Sequence, residues 1–290
     1  MKKTILIIGG CGFIGTLLSN RLVEDGYRVI CYDSELYGNF LKNNKKIKFI
    51  KDDIANFNKY NLRNVDSIIH LANIANDVSV EIDPSYSWKI NVLYSKLIIE
   101  HAIKYKVKKF IFASSGSVYG VKKERNVTEN LSLTPISTYN ETKMIAERVF
   151  LSYQNKIKVF SLRPATVCGY SPRLRLDVSV NALTYQAFKN KKILVYGGKQ
   201  IRPNIHIKDV VRVFKHVIKK KIKPGIYNIG FENLSILQIA KKITKKINSI
   251  IVIKPILDIR SYRLDSSKII KTGFKPIFNV DDAINELLKV

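Results

Sequence analysis

The sequence predicts an α/β protein with a doubly wound parallel sheet and a smaller, interwoven C-terminal substrate-binding region. A glycine-rich turn follows the first apolar segment, and short apolar segments then alternate with longer amphipathic ones. Such alternation is typical of a parallel sheet covered by helices on both faces. The 290 residues suffice for one large domain with a well-filled core.

The composition is that of a soluble globular protein, with 46% apolar and 25% charged residues. No apolar run approaches the roughly 20 residues of a membrane span, and glycines interrupt the apolar start, so we expect no signal peptide, no membrane insertion and a cytoplasmic location. The three cysteines lack metal-ligand spacing, and we expect reduced thiols and no metal site.

The net charge of +27 raises the possibility of nucleic-acid binding. The lysines are nevertheless spread along the whole chain in short groups such as "KKIK" and "KKITKK", and no nucleic-acid motif accompanies them. We therefore expect solvated helix faces and loops, and no specific nucleic-acid partner.

The first forty residues read as strand, glycine turn, helix and strand. Residues 5–8 form a short apolar run suited to a strand buried on both faces. The turn "GGCGFIG" opens a helix expected from about Phe13 to Glu24, which Gly26 ends. The segment "YRVICYD" is the second strand, with Asp33 at its end.

This segment suits a dinucleotide. Gly9 permits a tight turn, Gly12 lets a pyrophosphate approach the backbone, and Gly15 lets the helix pack closely on the strand. The helix N-terminus offers N–H donors and a partial positive charge. Asp33 is placed to bind ribose hydroxyls and would repel the 2′-phosphate of NADP, so we predict NAD as the cofactor.

The next segments continue the alternation. "IKFIKDDI", "VDSIIHLAN" and "KKFIFASSGSVYG" are predicted to contain the third, fourth and fifth strands. Asp83 and Pro84 begin a long amphipathic helix that contains Asn91, and "IKVFSLRP" is predicted to contain the sixth strand.

The order of these motifs resembles the extended short-chain dehydrogenase/reductase family, specifically its nucleotide-sugar epimerase and dehydratase branch. The motifs are the glycine turn, the acid after the second strand, "DDI", "HLA", the asparagine within a helix, "SSGSVYG" and "YNETK". The similarity covers nearly the full chain, and it implies a Rossmann-type NAD-binding domain and a nucleotide-diphosphate sugar as substrate.

A tyrosine and a lysine four residues apart occur four times, so spacing alone does not identify a catalytic pair. Tyr139 is the one tyrosine with a serine-bearing strand end about 24 residues upstream and a helix beginning around it. "TYNE" has capping-box spacing from Thr138 to Glu141, which places Tyr139 and Lys143 on one helical face. The four pairs are Tyr105/Lys109, Tyr119/Lys123, Tyr139/Lys143 and Tyr185/Lys189.

The selected pair suits proton transfer. A free tyrosine has a pKa near 10, and a lysine ammonium one turn away, together with a positive nicotinamide ring, favours the phenolate. We expect Tyr139 to take the proton of a sugar hydroxyl. The resemblance implies that Lys143 also holds the nicotinamide ribose, that Ser115 hydrogen-bonds the reacting oxygen, and that Asn91 has a supporting catalytic role.

The motifs and the resemblance together imply a cofactor site, with Asp53 near the adenine. The predicted cofactor-binding residues are Gly9, Gly12, Phe13, Ile14, Gly15, Asp33, Asp53, Ile54, Leu71, Ala72, Tyr139 and Lys143.

The C-terminal half supplies the expected substrate contacts. The family usually has an asparagine where this chain has Thr166, so that contact is altered. Arg202 is the expected pyrophosphate clamp because a guanidinium fits phosphate oxygens bidentately, with a solvated surface charge as the alternative for each arginine. His206 and Asp209 are expected to stabilise a helix start. The predicted substrate-binding residues are Ser115, Thr166, Arg173, Arg175, Asn181, Arg202 and Arg260.

One departure from the family bears on the reaction. The 4,6-dehydratases of the family carry Thr-Asp-Glu where this chain has Ser115, Gly116 and Ser117. Elimination of water needs that acid and base, so a dehydratase is disfavoured. The leading hypothesis is an NAD-dependent nucleotide-sugar 4-epimerase, similar to those acting on UDP-glucose or UDP-N-acetylglucosamine, in surface-polysaccharide synthesis. The alternatives are a C4 dehydrogenase or keto-sugar reductase and, more remotely, a catalytically idle regulatory or RNA-binding protein.

The expected domain division follows from the predicted chain path. Residues 1–163, with a return at about 203–230, are expected to form the NAD-binding domain, and residues 164–202 and 231–290 the substrate region. The resemblance also implies a homodimer, formed through the helices that contain Asn91 and Tyr139.

Overall fold

The computed structural model describes residues 3–255 and 261–290, and the elements below are those of the described residues. The strands are β1 (Thr4–Ile8), β2 (Arg28–Asp33), β3 (Ile47–Lys51), β4 (Ser67–His70), β5 (Lys109–Ala113), β6 (Lys158–Pro164), β7 (Thr166–Cys168), β8 (Lys192–Tyr196), β9 (Ile201–His206), β10 (Gly225–Ile229), β11 (Glu232–Ser235) and β12 (Ile250–Lys254).

Ten α-helices lie in the described residues, besides two 3₁₀ helices (Ile54–Lys59 and Gly116–Tyr119) and one π-helical turn (Lys89–Leu93). The α-helices are α1 (Phe13–Glu24), α2 (Asp77–Ile82), α3 (Pro84–Trp88), α4 (Tyr94–Lys104), α5 (Thr138–Leu151), α6 (Ser179–Asn190), α7 (Ile207–Lys219), α8 (Ile236–Thr244), α9 (Ser267–Ile270) and α10 (Val280–Leu287).

A seven-stranded parallel sheet forms the centre of the molecule, in the order β3-β2-β1-β4-β5-β6-β10. The first six strands follow the order that defines a doubly wound dinucleotide-binding sheet. The predicted fold class is therefore confirmed, and so are the bounds predicted for α1.

The sequence of β1 explains why helices cover both faces of this sheet. Ile5 and Ile7 belong to one hydrophobic cluster, and Leu6 and Ile8 belong to a second one on the opposite face, because successive side chains of a strand alternate. All four side chains are fully buried. A strand that is apolar on both faces needs a cover on each of them.

Helix α5 positions the predicted catalytic pair, and its first residue differs from the expectation. The N-cap is Ser137, whose Oγ accepts a hydrogen bond from the Asn140 N–H at 3.3 Å. The predicted cap, Thr138, is the first helical residue instead, since Ser137 is the residue with extended backbone angles. Tyr139 still lies in the first helical turn, with Lys143 one turn later.

The long helix predicted after Pro84 forms, but with an irregularity. Between α3 and α4 the residues Lys89–Leu93 make one π-helical turn, and Asn91 lies within it. Such turns often occur at functional sites in proteins. The wider turn sets the direction in which Asn91 points.

The C-terminal part of the chain adds two small sheets with a core of their own, ordered β11-β9-β7 and β12-β8. Strand β10 returns to the central sheet, inside the predicted return at 203–230, whereas β9 pairs with β7 and β11. We keep the predicted division into two regions as a proposal, with the substrate region including β9. In the described residues, none of the helices combines the length and the apolar character needed to cross a membrane.

Candidate active site

A cavity of about 670 Å³ opens at the carboxyl ends of β1, β4 and β5. Its walls are the glycine turn, the segment that follows β4, the first turns of α5 and the segment 164–178. Ligands of doubly wound sheets bind at this edge, where the strand order reverses.

The glycine turn has almost no room for side chains. A Cβ atom on Gly15 would lie 2.2 Å from the Gly9 carbonyl oxygen, and one on Gly9 would lie 2.5 Å from the Ala72 nitrogen. Gly9 also has a φ of +87°, which favours glycine. Gly12 differs, because a Cβ there would only touch the Gly9 oxygen at 3.4 Å. Gly12 lines the cavity, so its missing side chain leaves space for a ligand instead.

The acid at the end of β2 is held in place by the backbone. Asp33 accepts hydrogen bonds from the Cys11 N–H at 2.9 Å and the Glu35 N–H at 2.8 Å. Burial raises the pKa of Asp33, and these two donors act in the opposite direction. The Asp33 carboxylate lines the cavity at the end of β2, where it would repel the 2′-phosphate of NADP. The site fits NAD, with its glycine cradle and its acid for ribose hydroxyls.

The predicted catalytic residues converge on the same cavity from two elements. Ser115 caps a single 3₁₀ turn after β5, and its Oγ lies 2.7 Å from the Ser117 Oγ. Tyr139 and Lys143 come from α5, and the Lys143 Nζ lies 6.0 Å from the centroid of the Tyr139 ring. All three residues line the cavity.

The electrostatics of Tyr139 and Lys143 differ from the expectation in one respect, because burial has a larger effect on the pKa of Tyr139 than the nearby cations. Burial raises the pKa of Tyr139, while the Arg175 guanidinium and a hydrogen bond with Ser115 act to lower it. Burial also lowers the pKa of Lys143 to about 7. In the protein alone, therefore, desolvation outweighs the cations around Tyr139, and Arg175 is the foremost of those cations.

Asn91 acts on the site through its neighbours. Its Oδ1 accepts from the Ile74 N–H at 2.8 Å, and its Nδ2 donates to the Ile74 carbonyl at 3.2 Å and to the Thr142 Oγ1 at 3.1 Å. Asn91 thereby connects the segment after β4 to α5. It lies behind the cavity wall, so its role in this structure is positioning and not contact with a substrate.

The segment between β7 and α6 brings two arginines to the cavity. The guanidinium of Arg173 lies 4.3 Å from the centroid of the Tyr37 ring, and the Arg175 Nε donates to Asp177 at 3.0 Å. Burial would raise the pKa of Asp177, but Arg175 and the Asn76 amide hold it down at about 2. The Asn76 Nδ2 donates to Asp177 at 2.7 Å, which joins two cavity walls that are 101 residues apart in sequence.

Asn181 was predicted to bind substrate, but its side chain is used within the protein. Its Nδ2 donates to the carbonyls of Gly169 and Arg175, and its Oδ1 accepts from the Gly169 N–H. It is fully buried behind the segment that carries Arg175. Its role in this structure is to shape that segment.

The remaining predicted residues are distributed as follows. Every predicted cofactor-binding residue lines the cavity, and so do Thr166 and Arg202. Arg260 lies outside the described residues. His206 caps α7 by accepting from the Lys208 N–H, and Asp209 accepts from the N–H groups of residues 277 and 278, in agreement with a structural role for both.

Several cavity residues were not predicted from the sequence: Tyr37, Asn73, Asn76, Asp77, Asp177 and Tyr262. Three of these residues follow the central strand β4, namely Asn73, Asn76 and Asp77. Their position after a central strand could have indicated a ligand contact from the sequence alone. Tyr262 approaches from the far end of the chain, and no local pattern marks it.

The other tyrosine–lysine pairs are elsewhere. Tyr119 is fully buried and donates to Asn228, Tyr105 caps the end of α4, and Tyr185 is exposed on α6. Of the four tyrosines, all of them within the described residues, Tyr139 is the one that lines the cavity. The arrangement there can move a proton to or from a hydroxyl held beside a cofactor.

Comparison with known proteins gives concordant matches. The family model of the NAD-dependent epimerase/dehydratase family matches residues 5–230. A putative UDP-glucose 4-epimerase of Methanocaldococcus jannaschii is 32% identical over 237 residues, covering 78% of this chain and 76% of the relative. The dTDP-D-glucose 4,6-dehydratase of Homo sapiens is 32% identical over 305 residues, covering 94% and 85% respectively.

A solved structure of an epimerase is also similar to this chain. The UDP-glucuronic acid 4-epimerase of Bacillus cereus, solved with UDP-glucuronic acid and NAD, has a TM-score of 0.86 and 27% identity over 99% of this chain and 98% of its own. These similarities agree with the glycine cradle and the tyrosine–lysine pair described above. The chain is therefore an NAD-dependent enzyme of the extended short-chain dehydrogenase/reductase type, and it belongs to the NAD-dependent epimerase/dehydratase family.

Proposed function

We propose that this enzyme is a nucleotide-sugar 4-epimerase that acts through Ser115, Tyr139 and Lys143. The observation that carries the proposal is the meeting of these side chains in one cavity with the glycine cradle, beside a position 116 that has no acid. Bound NAD supplies a reversible oxidation of the sugar at C4. The chain's own residues supply the proton transfer and the position of the sugar.

Tyr139 is the proton carrier in this proposal. It takes the proton of the C4 hydroxyl as the carbon becomes a ketone, and it returns a proton when the alcohol forms again. Ser115 holds the reacting oxygen, and its hydrogen bond with Tyr139 supports the charged tyrosine. The Arg175 guanidinium acts in the same direction across the cavity.

The geometry around Gly116 argues against elimination of water. A Cβ on Gly116 would lie 3.1 Å from the Pro164 carbonyl oxygen and 3.3 Å from the Tyr262 Oη. An acid at this position would therefore need its neighbours to move. Of the cavity carboxylates on the Tyr139 side, Asp177 is paired with Arg175 and Asp77 accepts from the Ser137 hydroxyl. Although a dehydratase is among the relatives, Gly116 supplies no acid at the position where the family's 4,6-dehydratases carry one.

The substrate is proposed to be a nucleotide-diphosphate sugar. Arg173, Arg175 and Arg202 all line the cavity. Burial lowers the pKa of Arg173, and the nearby Arg175 acts in the same direction. Three guanidinium groups along one cavity, of which that of Arg175 is paired with Asp177, favour an anionic ligand there. A diphosphate fits because guanidinium groups bind phosphate oxygens in pairs. The related epimerases that are named for UDP-sugars make UDP the first nucleotide to test.

The deciding experiment is turnover of UDP-, GDP-, CDP- and dTDP-sugars with NAD, followed by absorbance at 340 nm and by NMR of the products. A new C4 epimer without lasting NADH absorbance is the expected result. Accumulation of NADH with a keto-sugar would instead identify a C4 dehydrogenase. Salt-dependent nanomolar RNA binding without turnover of any sugar would support the regulatory alternative.

Two further features complete the proposal. Surface-polysaccharide synthesis is the proposed use of the product. A homodimer is proposed through the helix that contains Asn91, where Tyr86, Leu93 and Leu97 are exposed apolar side chains. Light scattering on the purified protein checks the dimer: a mass of one chain would contradict it.

A further inference from the structure

Two polar side chains in the cavity have no hydrogen-bond partner among the described residues. Both polar atoms of Asn73, and the Oγ of Ser114, are buried and make no hydrogen bond to any described residue. Both residues line the cavity. Because a buried polar group without a partner costs roughly 1–3 kcal/mol, such groups call for an explanation.

The backbone around Asn73 is held firmly on both sides. The N–H groups of Leu71 and Ala72 both donate to the Ile8 carbonyl, at 2.8 and 2.9 Å. On the other side, the N–H and carbonyl of Ile74 are both bonded to Asn91. Asn73 is therefore presented by a fixed segment, and its side chain alone is left without hydrogen bonds. This is the arrangement of a preorganised ligand contact.

The position of Asn73 specifies which part of a ligand it faces. It follows β4, next to the glycine turn that follows β1, and Ser114 follows the neighbouring strand β5. Ala72 is in direct contact with the turn, since a Cβ on Gly9 would meet the Ala72 nitrogen. A dinucleotide that crosses this turn toward Tyr139 would pass the ends of both strands, where these two side chains line the cavity.

The chemistry of the unpartnered atoms narrows the ligand further. The Asn73 Nδ2 can only donate and its Oδ1 can only accept, and a serine hydroxyl does both. A phosphate at neutral pH accepts only and would leave Oδ1 without a partner. A vicinal diol offers donors and acceptors together. The adenosine ribose is already matched by Asp33. The nicotinamide-side ribose is expected to meet Lys143, but an ammonium only donates, so that diol still needs the acceptor that the Asn73 Oδ1 offers.

We propose that the Asn73 carboxamide binds the diol of the nicotinamide-side ribose of NAD, with Ser114 beside it. This assignment depends on the cofactor and not on which sugar is turned over. A failure of this assignment would therefore leave the proposed epimerase activity unaffected, and a failure of the epimerase activity would leave this assignment unaffected.

The test measures NAD affinity by calorimetry and thermal unfolding of the cofactor-free protein, for wild type and Asn73→Ala. We expect the variant to bind NAD about tenfold more weakly. Its unfolding midpoint without NAD should be equal to or above that of the wild type, because two unpartnered buried atoms are removed. A structural asparagine would show the reverse pattern: a lower midpoint and unchanged NAD affinity.

Asn20→Ala is the matched control. The Oδ1 of Asn20 is also buried and without a hydrogen bond to the described residues, but Asn20 lies on α1, away from the cavity lining. Its substitution should leave NAD affinity unchanged. An equal loss in both variants would overturn the proposal.

A second measurement changes the ligand as well as the protein. An NAD analogue that lacks a hydroxyl on the nicotinamide-side ribose should bind the wild type about tenfold more weakly than NAD, and should bind Asn73→Ala with little further loss. Independent, additive losses would overturn the assignment. If Asn73→Ala weakened UDP-sugar binding and left NAD binding intact, the diol would belong to the sugar, and the proposal would be wrong.

Discussion

The Lys143 Nζ donates a hydrogen bond to the carbonyl oxygen of Ala113, the last residue of β5, at 2.7 Å. The same nitrogen lies 4.9 Å from the centroid of the Phe112 ring, and the side chain is almost fully buried. The lysine is thus fixed to the central sheet, and the catalytic helix is anchored to the strand that supplies Ser115. We expect the proposed proton transfer to depend on this connection.

Removing the hydroxyl of Tyr139 should lower turnover far more than it lowers NAD affinity. Tyr139→Phe keeps the ring and loses the proton carrier, so we expect kcat to fall by at least about 100-fold. Tyr185→Phe is the matched control, because Tyr185 has a lysine at the same spacing but is exposed on α6. Steady-state kinetics and an NAD titration check both variants. Full turnover by Tyr139→Phe would contradict the mechanism.

The stability of the cofactor-free enzyme should rise with pH because of Lys143. Burial lowers its pKa from 10.5 to about 7, so between these values the unfolded chain holds a proton that the folded chain has released. The free energy of unfolding then increases with pH, by at most about 1.4 kcal/mol per unit. Lys143→Met lacks this contribution.

The measurement is urea unfolding at pH 7, 8 and 9 for wild type and Lys143→Met. The free energy of unfolding of the wild type, minus that of the variant, should grow as the pH rises. Lys189→Met, at an exposed position, should give a constant difference. A constant difference for Lys143→Met as well would show that the buried amine stays charged.

Two alanine substitutions in the glycine turn should have different effects. In Gly15→Ala the new Cβ would meet the Gly9 oxygen at 2.2 Å, so we expect a loss of about 1–3 kcal/mol or more in unfolding free energy. In Gly12→Ala the nearest atom is 3.4 Å away, so stability should change by less than about 1 kcal/mol while NAD affinity falls at least tenfold.

Urea unfolding without NAD, followed by calorimetric titration with NAD, separates the two effects. Wild-type NAD affinity in Gly12→Ala would mean that the pyrophosphate does not pass over this residue.

The buried ion pair between Arg163 and Glu147 should be important for stability. Glu147 on α5 accepts from the Arg163 Nε at 3.0 Å and from the Ser161 hydroxyl at 2.7 Å, and both charged side chains are almost completely buried. Glu147→Ala would leave the guanidinium buried without its carboxylate, and it would keep its hydrogen bond to the Tyr119 hydroxyl. We expect a loss of about 3–5 kcal/mol in unfolding free energy.

Glu24→Ala supplies the comparison for that experiment. Glu24 pairs with Arg21 at 2.6 Å, but both side chains are about half exposed. Its loss should cost less than about 1 kcal/mol in chemical denaturation. Similar losses for the two variants would mean that burial does not set the strength of the Arg163 pair.

The sequence was sufficient for the features that depend on local patterns. The apolar run of β1, the glycine turn and the start of α1 are continuous in sequence, and the structure reproduces them. The spacing of Tyr139 and Lys143 on one helical face is likewise local. Gly116 was recognisable because it replaces an acid of the family motif.

Features that depend on distant contacts were not predictable in this way. Asn91 and Asn181 were assigned to catalysis and substrate binding, but each is used to fix a neighbouring segment. The bond between Asn76 and Asp177 joins residues 101 positions apart, which no local pattern records. The cap of α5 was placed one residue late because Ser137 and Thr138 are both good capping residues, and only the backbone angles distinguish them.

The π turn at Lys89–Leu93 makes the position of Asn91 sensitive to the length of this helix. A chain that lost one residue here would form a regular helix, but every side chain on one side of the deletion would rotate by about 100° relative to the other. Asn91 would then no longer reach both Ile74 and Thr142. In evolutionary terms, we expect substitutions in this turn to be tolerated more readily than insertions or deletions, because a change in helix length would rotate Asn91 away from its partners.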